Sequence, residues 1–129
     1  MRRVVGLAVA WAAMLVVSCD SGPKAGEVVL ELVTPHQDLG AVSFSVVAVE
    51  PNVIDSVTAG CSGCEVFTVR ASERRVLGVI TGSLQAGPVL RLSVSDVDVP
   101  AAYSGRILQA ANQAFELVAI APSRLQGPQ

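Results

Sequence analysis

Apolar and polar residues alternate in short runs over most of the chain from residue 27 onward. These runs are rich in Val and are separated by segments rich in Gly, Pro, Asp and Ser. They lie at positions 28–33, 42–49, 65–70, 75–81 and 89–97. A period of two places one face of a strand in a core and the other in water, whereas helical patterns repeat about every 3.6 residues. The pattern therefore predicts short strands.

The alternation also predicts which side chains form the core. One face of the predicted strands carries Val28, Leu30, Leu32, Val42, Phe44, Val46, Ala48, Leu90, Leu92 and Val94. Phe67 falls on an inward position of the run at 65–70, and we assign Phe115 to the core as well. Strands with one apolar face bury that face against a second layer. We therefore expect these side chains to lie between two sheets.

Seven to nine strands of this length, with turns every eight to twelve residues, are typical of an all-β sandwich or barrel. We predict a two-layer antiparallel β-sandwich over residues 27–121, of the size at which two sheets enclose one core. Residues 102–112 fit either a helix or a strand, because the spacing of their apolar residues allows both, and we favour a strand. The finer predictions are an edge strand at 53–57, a bulge at Gly78 and a disordered tail at 122–129.

The first predicted hairpin carries a resemblance to known modules. Its strands read Val28-Val29-Leu30-Glu31-Leu32 and, after a polar turn, Gly40-Ala41-Val42-Ser43-Phe44. This arrangement resembles the opening hairpin of cohesin-type and related carbohydrate-module sandwiches, in which a Gly-Ala-x-x-Phe segment begins the second strand. The resemblance covers about the first quarter of the domain. It implies an immunoglobulin-like or cohesin-like jelly roll, and it suggests sugar binding as one possible activity.

The residues before the predicted domain follow a different pattern. Arg2 and Arg3 precede an uncharged apolar run at 4–17. As a helix, that run would reach about 21 Å at about 1.5 Å per residue, which is short of the ~30 Å hydrocarbon core of a membrane. A basic start followed by a short apolar run is typical of a secretory signal peptide and not of a spanning helix.

The leader closes on Val16-Val17-Ser18-Cys19, which resembles the lipobox of bacterial lipoproteins. The resemblance implies cleavage of the signal peptide at 1–18 and attachment of fatty acyl chains, such as palmitate, to Cys19. Two or more chains hold a protein stably at a membrane without spanning it. Residues 19–26 are rich in Gly, Pro and Ser and predict a flexible tether. We expect an exported protein, anchored by lipid in the bacterial cell envelope.

Charge narrows the possible partners. Removal of Arg2 and Arg3 with the leader lowers the nine basic residues to seven against eleven acidic ones, so the formal charge becomes −4. Proteins that bind nucleic acid neutralise phosphates with clustered Lys and Arg. The remaining Arg residues are scattered, so we expect no nucleic-acid partner.

Cys61 and Cys64 form a C-x-x-C motif, and they are the thiols that remain if Cys19 carries lipid. A thioredoxin-like pair needs its first thiol at a helix N-terminus, whereas the residues after Cys64 predict a strand. A zinc site needs about four ligands, and the chain adds only the distant His36. We predict a structural disulfide, as expected in an oxidising compartment, and keep redox and metal roles as weaker alternatives.

Other candidate chemistry is sparse. His36 is the single histidine and has no nucleophile-elbow pattern to accompany it. Asp96 and Asp98, with Asp55, offer carboxylates to calcium, but no EF-hand spacing follows them. We therefore expect a solvated His36, a solvated strand end at 96–98, no cofactor and no enzymatic activity.

Two classes of function remain from the sequence. The first is a lipid-anchored, non-enzymatic interaction or structural module that contacts another envelope protein. The second is a carbohydrate-binding module, for which Tyr103 would be the single exposed ring, since sugar sites present aromatic faces. Val47 and Val49 beside Val29 and Val33 suggest an apolar patch for association, unless a neighbouring strand or loop covers them. We favour the interaction module.

Overall fold

A computed structural model describes residues 22–128. The predicted signal peptide, the lipobox-like residues and Cys19 lie outside the described residues. Within the described part, the strands are β1 (Gly26–Val33), β2 (Leu39–Ala48), β3 (Ile54–Ala59), β4 (Glu65–Ser72), β5 (Arg75–Leu84), β6 (Gly87–Val94), β7 (Tyr103–Asn112), β8 (Leu117–Val118) and β9 (Arg124–Gln126). One 3-10 turn, Pro100–Ala102, precedes β7.

The strands form two antiparallel sheets. One has four strands in the order β3-β6-β1-β9, and the other has five in the order β4-β5-β2-β7-β8. Their inner faces enclose one core of buried side chains from both sheets. The predicted all-β, two-layer antiparallel sandwich is therefore confirmed, as are the edge position of the strand predicted near 53–57 and the strand at 102–112.

The predicted core is confirmed for the runs with strict alternation. Val28, Leu30, Leu32, Val42, Phe44, Val46, Ala48, Leu90, Leu92 and Val94 are all buried. The prediction is wrong for two aromatic residues, since Phe67 is 60% exposed and Phe115 is 95% exposed. Phe67 lies on the outer face of β4, and Phe115 lies at the tip of the turn between β7 and β8.

Gly78 does not form a bulge. Its register against β2 and β4 is regular, opposite Phe44 on one side and Thr68 on the other. A Cβ atom at Gly78 would lie 2.6 Å from Phe44 Cζ and 2.7 Å from the Phe67 carbonyl oxygen. Real Cβ atoms do not approach that closely, so the glycine is required because the Phe44 ring packs directly against its backbone.

The segment predicted as a disordered tail is ordered over part of its length. Arg124–Gln126 pairs antiparallel with Glu31–Val33 of β1, and Leu125 is buried. Ahead of this strand, the side-chain oxygens of Ser123 and Thr34 lie 2.6 Å apart in a hydrogen bond. The tail prediction is wrong here because three residues suffice to complete the edge of a sheet when one side chain enters the core.

The predicted tether also ends earlier than the composition suggests. The Val97 amide donates a hydrogen bond of 2.8 Å to the Lys24 carbonyl oxygen, and the Lys24 amide donates one of 3.3 Å to Asp96 Oδ1. Gly26 then begins β1. The fold therefore holds the chain from Lys24 onward, at the end of the sandwich where β6 ends.

Candidate interaction surface

The outer face of the four-stranded sheet is polar. Its outward positions include Glu27, Glu31, Ser56, Thr58, Arg91 and Arg124, which alternate with core residues. The apolar exceptions include Val29, opposite Arg91, and Val33, opposite Arg124. Mixed charges and hydroxyls are typical of a surface that faces water.

The outer face of the five-stranded sheet carries a cluster of apolar side chains beside a few polar ones such as Arg75 and Arg106. We call the following set the apolar face: Phe67, Val69, Leu77, Val79, Leu108 and Leu117. Five of the six are exposed, and Leu77 is half-buried. The register brings them together, because Phe67 lies opposite Val79 and Val69 lies opposite Leu77. Two shallow depressions run over this surface and share Ser43 and Val79 in their walls.

The sequence contains a signal for this surface. In β5, both the inward residues Val76 and Ile80 and the outward residues Leu77 and Val79 are apolar. A strand that is apolar on both faces, in an antiparallel sandwich with one core, must present one apolar face to the outside. The predicted patch of Val47 and Val49 with Val29 and Val33 is wrong, because Val29 and Val47 belong to different sheets.

β4 is the edge strand of the five-stranded sheet beside the apolar face. All of its residues except Val66 are exposed, so both of its faces meet solvent. On the inner side, Arg70 reaches across to the other sheet and donates a hydrogen bond of 2.7 Å to the Asp55 carbonyl oxygen. The four-stranded sheet leaves this margin of the wider sheet uncovered.

The turn between β7 and β8 presents Phe115 to solvent. Asn112 Oδ1 accepts hydrogen bonds of 2.9 Å and 3.0 Å from the amides of Ala114 and Glu116. Phe115 has a φ of 64°, a left-handed conformation that costs about 1–2 kcal/mol for a residue with a Cβ. A rigid turn thus exposes a large ring at the end of the sandwich remote from Lys24.

The Cys61–Cys64 disulfide is present and closes the loop between β3 and β4. The residue after Cys64 begins a strand, so the pair does not have the helix N-terminus of a thioredoxin-like site. The Cys64 sulfur lies 3.4 Å from the position that a Cβ of Gly82 would take. The disulfide therefore packs the loop against β5, in agreement with the predicted structural role.

Tyr103 is not an exposed ring, because only 3% of its surface is accessible. Its hydroxyl donates a hydrogen bond of 2.8 Å to the Asp96 carbonyl oxygen and accepts one of 3.2 Å from the Asp96 amide. Such a bond from a tyrosine to backbone a few residues upstream resembles the tyrosine corner of β-sandwiches. Tyr103 thus fixes the loop between β6 and β7. The prediction of an exposed ring is wrong, so the expected role of Tyr103 in ligand binding loses its basis.

Replacement of Tyr103 by Phe is expected to lower the free energy of unfolding by about 1–3 kcal/mol, because both backbone groups of Asp96 lose their partner in a partly buried setting. Urea denaturation followed by circular dichroism measures this change. The Ser104→Ala variant at the next, exposed position is the control and should change stability by less than about 0.5 kcal/mol. Equal stability of Tyr103→Phe and wild type would contradict the structural role.

The remaining candidate residues are not brought together. His36 Nε2 lies 3.3 Å from the Ala119 carbonyl oxygen, so the imidazole contacts backbone and no hydroxyl nucleophile. Asp96 Oδ1 accepts bonds from backbone amides, including one of 3.0 Å from Asp98. Among residues 22–128, no group of three or more His, Cys, Asp or Glu side chains is arranged to hold a metal ion.

Comparison of the chain with protein-family models, with curated proteins and with solved structures found no match in any of the three. Over residues 22–128, the structure contains no helix long and apolar enough to cross a membrane. The class that the fold defines is an all-β sandwich with an apolar cluster on the outer face of its five-stranded sheet.

Proposed function

We propose that this chain is a lipid-anchored, non-enzymatic interaction module of the bacterial cell envelope. The leader supports export, and the lipobox-like Val16-Val17-Ser18-Cys19 supports attachment of acyl chains to Cys19. Its partners are the membrane, through the lipid, and an envelope protein, through the domain.

The observation that carries the interaction role is the apolar face. Monomeric soluble proteins rarely expose large contiguous apolar patches, and such patches mark contact sites. Here six apolar residues cluster on the outer face of one sheet, while the outer face of the other sheet is mainly polar. Phe67 supplies the aromatic area typical of interface anchors. The asymmetry favours a surface that a partner covers.

The proposed anchor restricts where this surface can act. Among residues 22–128, Lys24 is the first that the fold holds by hydrogen bonds, and it lies five positions after Cys19. A fully extended chain covers at most about 3.6 Å per residue, so the domain would remain within about 18 Å of the lipid. The Lys24 end would face the membrane, with Phe115 and the disulfide loop at the opposite end.

Expression of the full chain in a bacterial host tests both parts of the proposal. The mature protein should partition with membranes and show acyl groups on Cys19 by mass spectrometry, whereas Cys19→Ala should remain without lipid. A photo-crosslinking side chain at Val79, on the apolar face, should give an adduct with another envelope protein. The same side chain at Thr58, on the polar face, is the matched control. An unmodified Cys19, or equal adducts at both positions, would refute the proposal.

The two alternatives from the sequence have no comparable support. The sugar-binding module depended on an exposed Tyr103, and that ring is buried. The thiol-redox role depended on a helix after the C-x-x-C motif, and a strand follows it instead. We therefore propose neither.

A further inference from the structure

We propose that two copies of this chain pair edge to edge through β4, in antiparallel orientation about Thr68. The pairing would join two five-stranded sheets into one ten-stranded sheet. It rests on the proposed function and deepens it, because it names a second copy of the chain as the partner of the edge strand that carries Phe67 and Val69. The contact itself needs no lipid.

β4 has the properties of an edge that accepts another strand. An unprotected edge presents a row of unpaired backbone N–H and C=O groups, and proteins blunt such edges with charged side chains, Pro, bulges or very short strands. β4 runs without a register shift from Glu65 to Arg70 and contains neither Pro nor Lys; its charged side chains, Glu65 and Arg70, lie at the two ends of that stretch and leave its centre uncharged. Its residues Val66, Phe67, Thr68 and Val69 have high strand propensity.

The other sheet edges within residues 22–128 are blunted. β8 has two residues and β9 has three, too few to direct a long pairing. β3 has six residues, but its register shifts between Ile54 and Ser56. Of the four edges, β4 therefore offers the longest regular stretch for strand addition.

The sequence of β4 is complementary to itself. A two-fold axis perpendicular to the sheet keeps outer faces on one side, so residues that lie opposite one another must share a face. An axis through Thr68 places Phe67 of each copy opposite Val69 of the other. Pairs of an aromatic with a β-branched residue stabilise antiparallel strands. In this register, each copy covers the exposed Phe67 and Val69 of its partner.

Neighbouring registers that obey the same symmetry are less favourable. Centring the pair on Val69 places Phe67 opposite Ala71 and so removes both Phe–Val contacts. Centring it on Phe67 replaces the two Phe–Val pairs by one Phe–Phe pair and places the charged Glu65 opposite Val69. About Thr68, the charged Arg70 lies opposite the uncharged Val66, and no like charges face each other.

The pairing also makes the two apolar faces continuous. Phe67 lies opposite Val79 within one copy, and Val69 lies opposite Leu77. Because the two-fold axis keeps both outer faces on the same side, these residues from two copies form one surface around the axis. A contact along one strand is small and is expected to be weak in dilute solution. Anchoring in a shared membrane raises the local concentration of each copy for the other.

Cysteine crosslinking in intact cells tests the pairing and its register. In the proposed dimer, the two Thr68 Cα atoms lie about 4.5–5.5 Å apart, within disulfide reach. The two Val66 positions lie more than about 13 Å apart, out of reach. Under mild oxidation, the yield of disulfide-linked dimer from Thr68→Cys should be at least ten times the yield from Val66→Cys. Thr58→Cys, an exposed threonine on the edge strand β3, is the matched control and should behave like Val66→Cys.

A second variant separates specific pairing from random collision in the membrane. Phe67→Asp, combined with Thr68→Cys, should lower the yield of crosslinked dimer at least tenfold, because it removes both Phe–Val contacts. Residue 67 is exposed, so the charged side chain can remain in water. Equal crosslinking at 68, 66 and 58, or crosslinking that survives Phe67→Asp, would overturn the proposal. A disulfide-linked dimer of the chain with no added cysteine would instead indicate that Cys19 has a free thiol. That result would refute the proposed lipid anchor but not the pairing through β4.

Discussion

A chain carrying Phe44→Ala is expected to lose about 3–5 kcal/mol of its free energy of unfolding, the usual cost of deleting a buried aromatic ring. Phe44 lies in the middle strand of the five-stranded sheet, is 1% exposed and packs against the backbone of Gly78. Because glycine has no side chain to move into the gap, the cavity left by the ring cannot collapse fully. A loss of this size is a large share of the stability of a small domain.

Urea denaturation followed by circular dichroism measures the loss, and Phe67→Ala is the matched control. Both residues are Phe in the same sheet, but Phe67 is exposed and its removal creates no buried cavity. We expect less than about 1 kcal/mol for Phe67→Ala. Similar losses for the two variants would show that Phe67 is buried in solution, and would contradict the assignment of the apolar face.

The second large effect is expected at the C-terminal strand. Leu125→Ala should lower the free energy of unfolding by about 2–5 kcal/mol. Leu125 is buried, lies opposite Leu32 in the sheet and comes close to Gly105 of the other sheet. Its side chain therefore bridges the two layers from a strand of only three residues.

Thermal and urea unfolding of Leu125→Ala and Arg124→Ala measure this contribution side by side. Arg124 is the adjacent exposed residue of β9, so its replacement keeps the strand and should change stability by less than about 0.5 kcal/mol. If both variants were as stable as the wild-type chain, the segment would be a frayed tail after all, as the composition alone predicts.

The sequence predicted the fold most reliably where one face of a strand is apolar and the other polar. Leu90, Leu92 and Val94 of β6 follow this pattern and are fully buried. The prediction failed for Phe67 because β4 and β5 carry apolar residues on both faces, so alternation cannot say which face meets the core. The register of β4 against β5 places Val66 opposite the buried Ile80 and Phe67 opposite the outward Val79, and this puts the ring outside.

The candidate site was predicted less well than the fold. The C-x-x-C motif and the strand after it pointed correctly to a structural disulfide, since both signals are local. The burial of Tyr103 depends on a hydrogen bond to a loop that packs only after the two sheets meet. The ordering of Leu125 depends on an open edge of β1 far away in sequence. Neither could be read from local composition.

The position of β9 beside β1 sets the order in which the fold can be completed. A ribosome or an export channel releases the chain from its N-terminal side, so β1 emerges early and keeps one edge unpaired. Among the strands of residues 22–128, its partner Arg124–Gln126 emerges last. The contact closes a loop of about 90 residues, and the conformational entropy of that loop must be lost before the pairing stabilises the sheet. The four-stranded sheet therefore closes only after the chain through Gln126 has been released.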